Sequence, residues 1–384
     1  MFSTFLRNTR VPFVFYFITI AAMIIYCFYI SHQSSQGLST FNSRFNEPLE
    51  APIIDEKMLE KVKFQEIEKE ESLIRLNDMD TIRKANADPL PVISDFGTDW
   101  KQPNWTENIC SGEDEIKCGA KLKSLETRLR ASPKYKTVAC IIQKNMSTIL
   151  QAIMCYLFDE ASFVKAGRII SRECHNNRFC VKKNEFNAVY AATRVLNVTR
   201  TEMADWKYVA IVRDPIDRFL SGFVDKCIRK PNDLEYYCNN CGSNMTCFIL
   251  TEYERIMRSS NGNVLSRTFE DRHFFPQNWR CNFRTELKHY QLIEYSSHPE
   301  HTNKFLNDLL EAFKQQHVPD ESQKFIKDQL TGGRTVHTTV ASDARIFLEK
   351  RLLSSPFLME YIIRMFYWDF RLLGFKLPTF KPIE

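Results

Sequence analysis

"WKYVAIVRDPIDRFLSGFVDKC", residues 206–227, decides how the chain is read. An apolar run, Tyr208 to Val212, stops at Arg213-Asp214-Pro215, and an amphipathic run follows. A short β-branched run that ends at a turn signal reads as a buried strand. Asp214 suits a helix N-cap and Pro215 the first helical position, so a helix is expected from Pro215. Counting along that helix, Arg218, Ser221 and Asp225 share one face, with Arg213 at the strand end beside them. An arginine fork with a serine hydroxyl is suited to a phosphate monoester.

The same order occurs earlier. "TVACII" (137–142) reads as a strand and "STILQAIMCYLF" (147–158) as a helix, joined by Gln143-Lys144-Asn145-Met146. Ser147 and Thr148 are expected to cap the helix, leaving N–H groups outward, and Lys144 adds a mobile positive charge. The turn lacks the glycines of G-x-x-x-x-G-K-[ST], which disfavours nucleoside triphosphates. Strands alternating with helices predict an α/β fold, a P-loop-like parallel sheet flanked by helices. Ligands of such sheets gather where strands end and helices begin, at free N–H groups. Beyond about residue 300 the chain reads as helical. Phe357, Tyr361, Phe366, Tyr367, Trp368 and Phe370 are expected in the core there.

The chain has 384 residues and a net charge of +5, compatible with an acidic ligand and short of a nucleic-acid binder's basic stripe. Residues 11–30 carry no charge and are long enough to span a bilayer. Arg7 and Arg10 precede them and no Lys or Arg follows until Arg44, which predicts a cytosolic N-terminus and a lumenal body. The expected organisation is a cytosolic tail (1–10), a signal anchor (11–30), a stem (31–121) and a catalytic body (122–384). The charged segment 56–87 reads as a solvated helix or a weak self-association segment, so a homodimer is one expected state.

Of 12 cysteines, Cys27 lies in the span and eleven beyond it. Cys110/Cys118, Cys174/Cys180 and the cluster Cys227, Cys238, Cys241, Cys247, Cys281 suggest an oxidised framework, favoured over a zinc site at Cys238/Cys241. Cys140 and Cys155, in apolar runs, are expected buried and reduced. Sequons occur at Asn104, Asn145, Asn197 and Asn244, and Asn145 is expected to stay unmodified.

"QKNMST" followed by "RDPIDRFLSGFVDK" resembles the 5′- and 3′-phosphosulfate motifs of Golgi carbohydrate sulfotransferases, nearest the chondroitin, dermatan and HNK-type branch. "HFFPQNWRC" (273–281) and "YWDFRLLGF" extend the resemblance over roughly residues 135–375. Gln143 stands where the family usually has Pro, and Met146 where it has a small residue.

The resemblance implies 3′-phosphoadenosine 5′-phosphosulfate as donor, without a metal, and a glycan acceptor, acidic or neutral. Gln143, Lys144, Asn145, Met146, Ser147, Thr148 and Ile149 would hold the 5′-phosphosulfate. Arg213, Asp214, Pro215, Arg218 and Ser221 would hold the 3′-phosphate. Lys144 would stabilise the leaving phosphate and His273 would be the base, chosen over His289 and His337. Arg267, Arg272, Arg280 and Arg284 are candidates for an acidic acceptor. The rivals are a sulfotransferase-fold glycan-binding protein without catalysis and a Golgi glycosyltransferase. The second would need a metal motif, found only as Asp78-Met79-Asp80 in the stem.

Overall fold

Among the described residues five strands make one sheet, in the order β3-β1-β2-β4-β5. In chain order they are β1 (Leu129–Ser132), β2 (Thr137–Cys140), β3 (Glu185–Phe186), β4 (Lys207–Arg213) and β5 (Tyr290–Tyr295). The computed structural model describes residues 79–89, 108–173, 178–229, 238–262, 268–296, 301–331 and 342–378, all within one unit spanning 68–384. The apolar segment 11–30 and the stem up to residue 78 lie outside the described residues.

The sheet is mixed, which corrects the all-parallel expectation. β2, β4 and β5 run parallel, whereas β1 is antiparallel to both β2 and β3. The cause lies between β1 and β2. Only Pro133–Tyr135 and Lys136, the last with φ 44°, separate them, and so short a link joins only antiparallel strands. The three parallel strands still end on one edge, where both turns lie.

Side chains alternate across the sheet as a two-residue period requires. Val209 and Ile211 of β4 pack with Ile293 under helices α1 (Ser147–Phe158), α5 (Thr302–Lys314) and α6 (Asp320–Thr331). Ala210 and Val212 face the other way, toward Val138, Cys140, Ala192, Met203 and Phe283.

A third apolar cluster is built mainly from helices. It joins α2 (Pro215–Phe223), α3 (Met245–Ser260), α4 (Phe269–Phe274), α7 (Asp343–Leu353) and α8 (Pro356–Leu373). Gly222 lets α2 and α4 approach closely, because a Cβ there would lie 2.8 Å from the Phe274 ring. Phe357, Tyr361, Phe366, Tyr367 and Phe370 are buried in it, and Trp368 packs at its margin. Ile82, Ile109 and the Cys110–Cys118 disulfide join the same cluster, so parts of the segment read as stem pack on the body.

Among the described residues ten cysteines form five disulfides: Cys110–Cys118, Cys140–Cys281, Cys155–Cys180, Cys227–Cys238 and Cys241–Cys247. Cys140 and Cys155 are buried as expected but oxidised, not reduced. Apolar neighbours mark burial, and burial says nothing of a distant partner. Cys180 pairs with Cys155 of α1 rather than with its neighbour Cys174, which lies outside the described residues.

Candidate functional site

The first turn joins β2 to α1. Lys144 and Met146 have φ of 69° and 55°, a backbone region that glycine adopts more readily. The N-cap of α1 is Met146 and no side chain caps the helix, so Ser147 and Thr148 sit inside it rather than before it. The first N–H groups of a twelve-residue helix therefore lack a side-chain acceptor, where its dipole favours an anion. Ile149 is buried, so only its backbone can serve a ligand.

The second turn follows the sequence reading closely. The Asp214 carboxylate accepts from the backbone N–H groups of Ile216 and Asp217, and Pro215 opens α2. The Arg213 guanidinium stacks on Tyr295, 5.0 Å from the ring centre, because β4 and β5 pair Arg213 with Tyr295. Arg213 Nε donates to Asp217 at 2.7 Å and Nη1 to the Lys144 carbonyl at 2.8 Å. Arg345 of α7 donates to the same Asp217 carboxylate. Asp217 and Arg345 were missed by sequence reasoning, since 128 residues separate them.

Arg218 is 2% exposed. Its guanidinium donates to the carbonyls of Gln143, Phe274 and Phe275, clamping the first turn to the end of α4. Ser221 is buried one turn further along. Gln143, its amide oriented by hydrogen bonding, bridges the Arg272 carbonyl and the Arg128 guanidinium.

After α2 the chain widens into a π-helical turn, Val224–Ile228. There Asp225 Oδ2 accepts from Lys144 Nζ at 2.9 Å and from Lys226 Nζ at 2.8 Å. Burial pulls the Lys144 ammonium down to about 8, against the opposing pull of Asp225. Lys226 lies 5.5 Å over the Phe269 ring, which also packs on His273.

His273 Nδ1 meets the Phe269 carbonyl at 2.7 Å, so Nδ1 carries the proton and Nε2 the lone pair. Burial lowers its pKa to about 3, with Lys226 and Lys144 adding to the shift and Asp225 opposing it. The imidazole is therefore neutral at ordinary pH and electrostatically coupled to Lys144.

Of the other expected bases, His289 is exposed at the opposite end of β5, and His337 lies outside the described residues. Arg280 is buried and donates to the carbonyls of Asp271 and Arg272, a structural task. Arg272 and Arg284 are exposed, and Arg267 lies outside the described residues.

"HFFPQNWRC" explains how the two turns are held together. Gln277 Oε1 accepts from the Asn145 amide and from Arg213 N, while its Nε2 donates to the Arg213 carbonyl at 2.7 Å. Asp369 of α8 fixes this segment, accepting from Gln277 N at 2.8 Å and from Asn278 N and Nδ2 at 2.7 Å each. The Asn145 amide nitrogen is buried and doubly engaged, a poor acceptor for glycosylation.

Residues 127–376 match the model of the Sulfotransferase family. Over 304 residues the chain is 39% identical to an uncharacterized protein of Caenorhabditis elegans, covering 79% of this chain and 82% of that one. It is 34% identical over 252 residues to carbohydrate sulfotransferase chst-1 of the same species, covering 64% of this chain and 74% of that one. No solved structure gives a significant match.

Proposed function

The chain belongs to the sulfotransferase family, and on that footing we propose that it transfers a sulfuryl group from 3′-phosphoadenosine 5′-phosphosulfate to a glycan hydroxyl. The observation that carries this reading is the Lys144 ammonium, buried against Asp225 beside an uncapped helix N-terminus. The similarity to a carbohydrate sulfotransferase, chst-1, supports a carbohydrate acceptor. The uncharged segment 11–30 supports a single-pass Golgi anchor with the body in the lumen.

The residues fit such a donor. The N–H groups opening α1, with Lys144, Ser147 and Thr148, would hold its 5′-phosphosulfate. Arg213 would hold the 3′-phosphate, supported by Asp217, with Ser221 on the same helix. The donor supplies an activated sulfuryl group, and the protein's part is positioning and charge stabilisation, as in phosphoryl transfer. Lys144 faces the charge that grows on the leaving phosphate. His273 presents a neutral Nε2 able to accept the proton of a sugar hydroxyl. An anionic donor nearby would offset Lys144 and Lys226 and raise the basicity of His273.

Transfer of labelled sulfate to a panel of desulfated glycosaminoglycans and glycoprotein glycans tests the activity. Binding of adenosine 3′,5′-bisphosphate without transfer to any acceptor would indicate a binding protein instead. Arg213→Ala is expected to weaken bisphosphate binding by about 1.5–3 kcal/mol, the worth of hydrogen bonds to a charged group. Calorimetry checks this, and an unchanged affinity with an intact fold would remove Arg213 from the site.

A further inference from the structure

Lys144, Asp225 and Lys226 form a cluster whose charges do not cancel. Two ammonium groups converge on one carboxylate oxygen, at 2.9 and 2.8 Å. The three side chains are 9%, 10% and 16% exposed, so water screens them little. Two like charges this close require an anion between them, and one positive charge remains after Asp225 is counted.

The backbone is shaped for this convergence. The π-helical turn, closed by a 3.1 Å bond from Arg229 N to the Val224 carbonyl, carries both Asp225 and Lys226. Such turns recur at functional sites. Cys227, within this turn, is bonded to Cys238. Among the described residues, Arg213, at the end of β4, and His273, on α4, also bear on Lys144.

We propose that Asp225 is a positioning residue for sulfuryl transfer, holding Lys144 and Lys226 together at the first turn and keeping Lys144 charged for the incoming anion. This rests on reading that turn as the 5′-phosphosulfate site. Asp225 never meets the transferred group; it acts through Lys144. With the carboxylate gone, desolvation and the neighbouring cations Lys226 and Arg213 act on Lys144 unopposed. Lys144 then loses its proton at a lower pH, and the site loses anion affinity there.

The test is the affinity of the full chain for adenosine 3′,5′-bisphosphate, measured by calorimetry from about pH 6 to about pH 9. Asp225→Asn is expected to match or exceed the wild type at the acid end, because a competing anion has been removed. Its affinity then falls by up to about tenfold per pH unit, beginning at lower pH than in the wild type. Asp225→Glu restores the wild-type profile. A purely structural role would lower the whole curve without moving it. Parallel curves for Asp225→Asn and wild type overturn the role of Asp225 and leave the donor site standing. A wild type that binds no bisphosphate at any pH overturns the site itself, and this proposal with it.

Discussion

Lys144→Ala is expected to lower kcat/KM for sulfuryl transfer by about 10²–10³-fold, the scale of losing one well-placed electrostatic group. The effect is large because Lys144 acts where water is scarce, with its side chain 9% exposed. The fold should survive the change. Asp225 keeps Lys226 as a partner at 2.8 Å, so no buried carboxylate is stranded. Steady-state kinetics beside a thermal melt separate the two effects. A loss of less than about threefold would move the leaving-group role away from Lys144. In the wild type, donor capture by the free protein should decline as pH rises through about 8, where Lys144 gives up its proton. Bound donor, being anionic, shifts that decline upward.

Asp369→Ala is expected to cost about 3–5 kcal/mol of stability, although the residue lies on α8 and touches no proposed ligand. Asp369 is fully buried and accepts three hydrogen bonds from Gln277 and Asn278. Alanine leaves three buried donors without an acceptor. At about 2–4 °C per kcal/mol, the melting temperature should fall by about 10 °C. Transfer should fall as well, because Gln277 joins Asn145 of one turn to Arg213 of the other. A melting temperature within about 2 °C of wild type would show that Gln277 is held by other means.

These two residues also mark what the sequence could convey. Lys144 was legible because its signal is local: an apolar strand, a polar turn, then a helix. Asp214 and Pro215 were legible for the same reason, and their cap forms as read. The first turn was read less well. Ser147 and Thr148 look like caps, but the left-handed Met146 takes the cap position and leaves the helix end without a side-chain acceptor. Arg218 faces the first turn, and backbone carbonyls hold its Nε and Nη1 while Nη2 is buried without a hydrogen-bond partner.

Long-range partners escaped altogether. Asp369 meets Gln277 across 92 residues and Arg345 meets Asp217 across 128, and no periodicity within one element records such a pairing. The antiparallel β1 was overlooked because it spans four residues and includes an arginine. Neighbouring cysteines suggested a bridge between Cys174 and Cys180, whereas helix α1 supplies the actual partner, Cys155.

The Cys140–Cys281 bond has a consequence for the order in which the protein is assembled. Cys140 ends the strand that leads to Lys144, and Cys281 closes the segment that begins with His273. The two proposed reacting groups thus come from pieces fastened together across 141 residues of chain. A nascent polypeptide cannot close this bond until Cys281 has left the ribosome. Until then the same two pieces are joined by hydrogen bonds, from Arg218 to Gln143, Phe274 and Phe275 and from Asn145 to Gln277. The bond that fastens the lysine's strand to the histidine's segment can therefore form only late in biosynthesis.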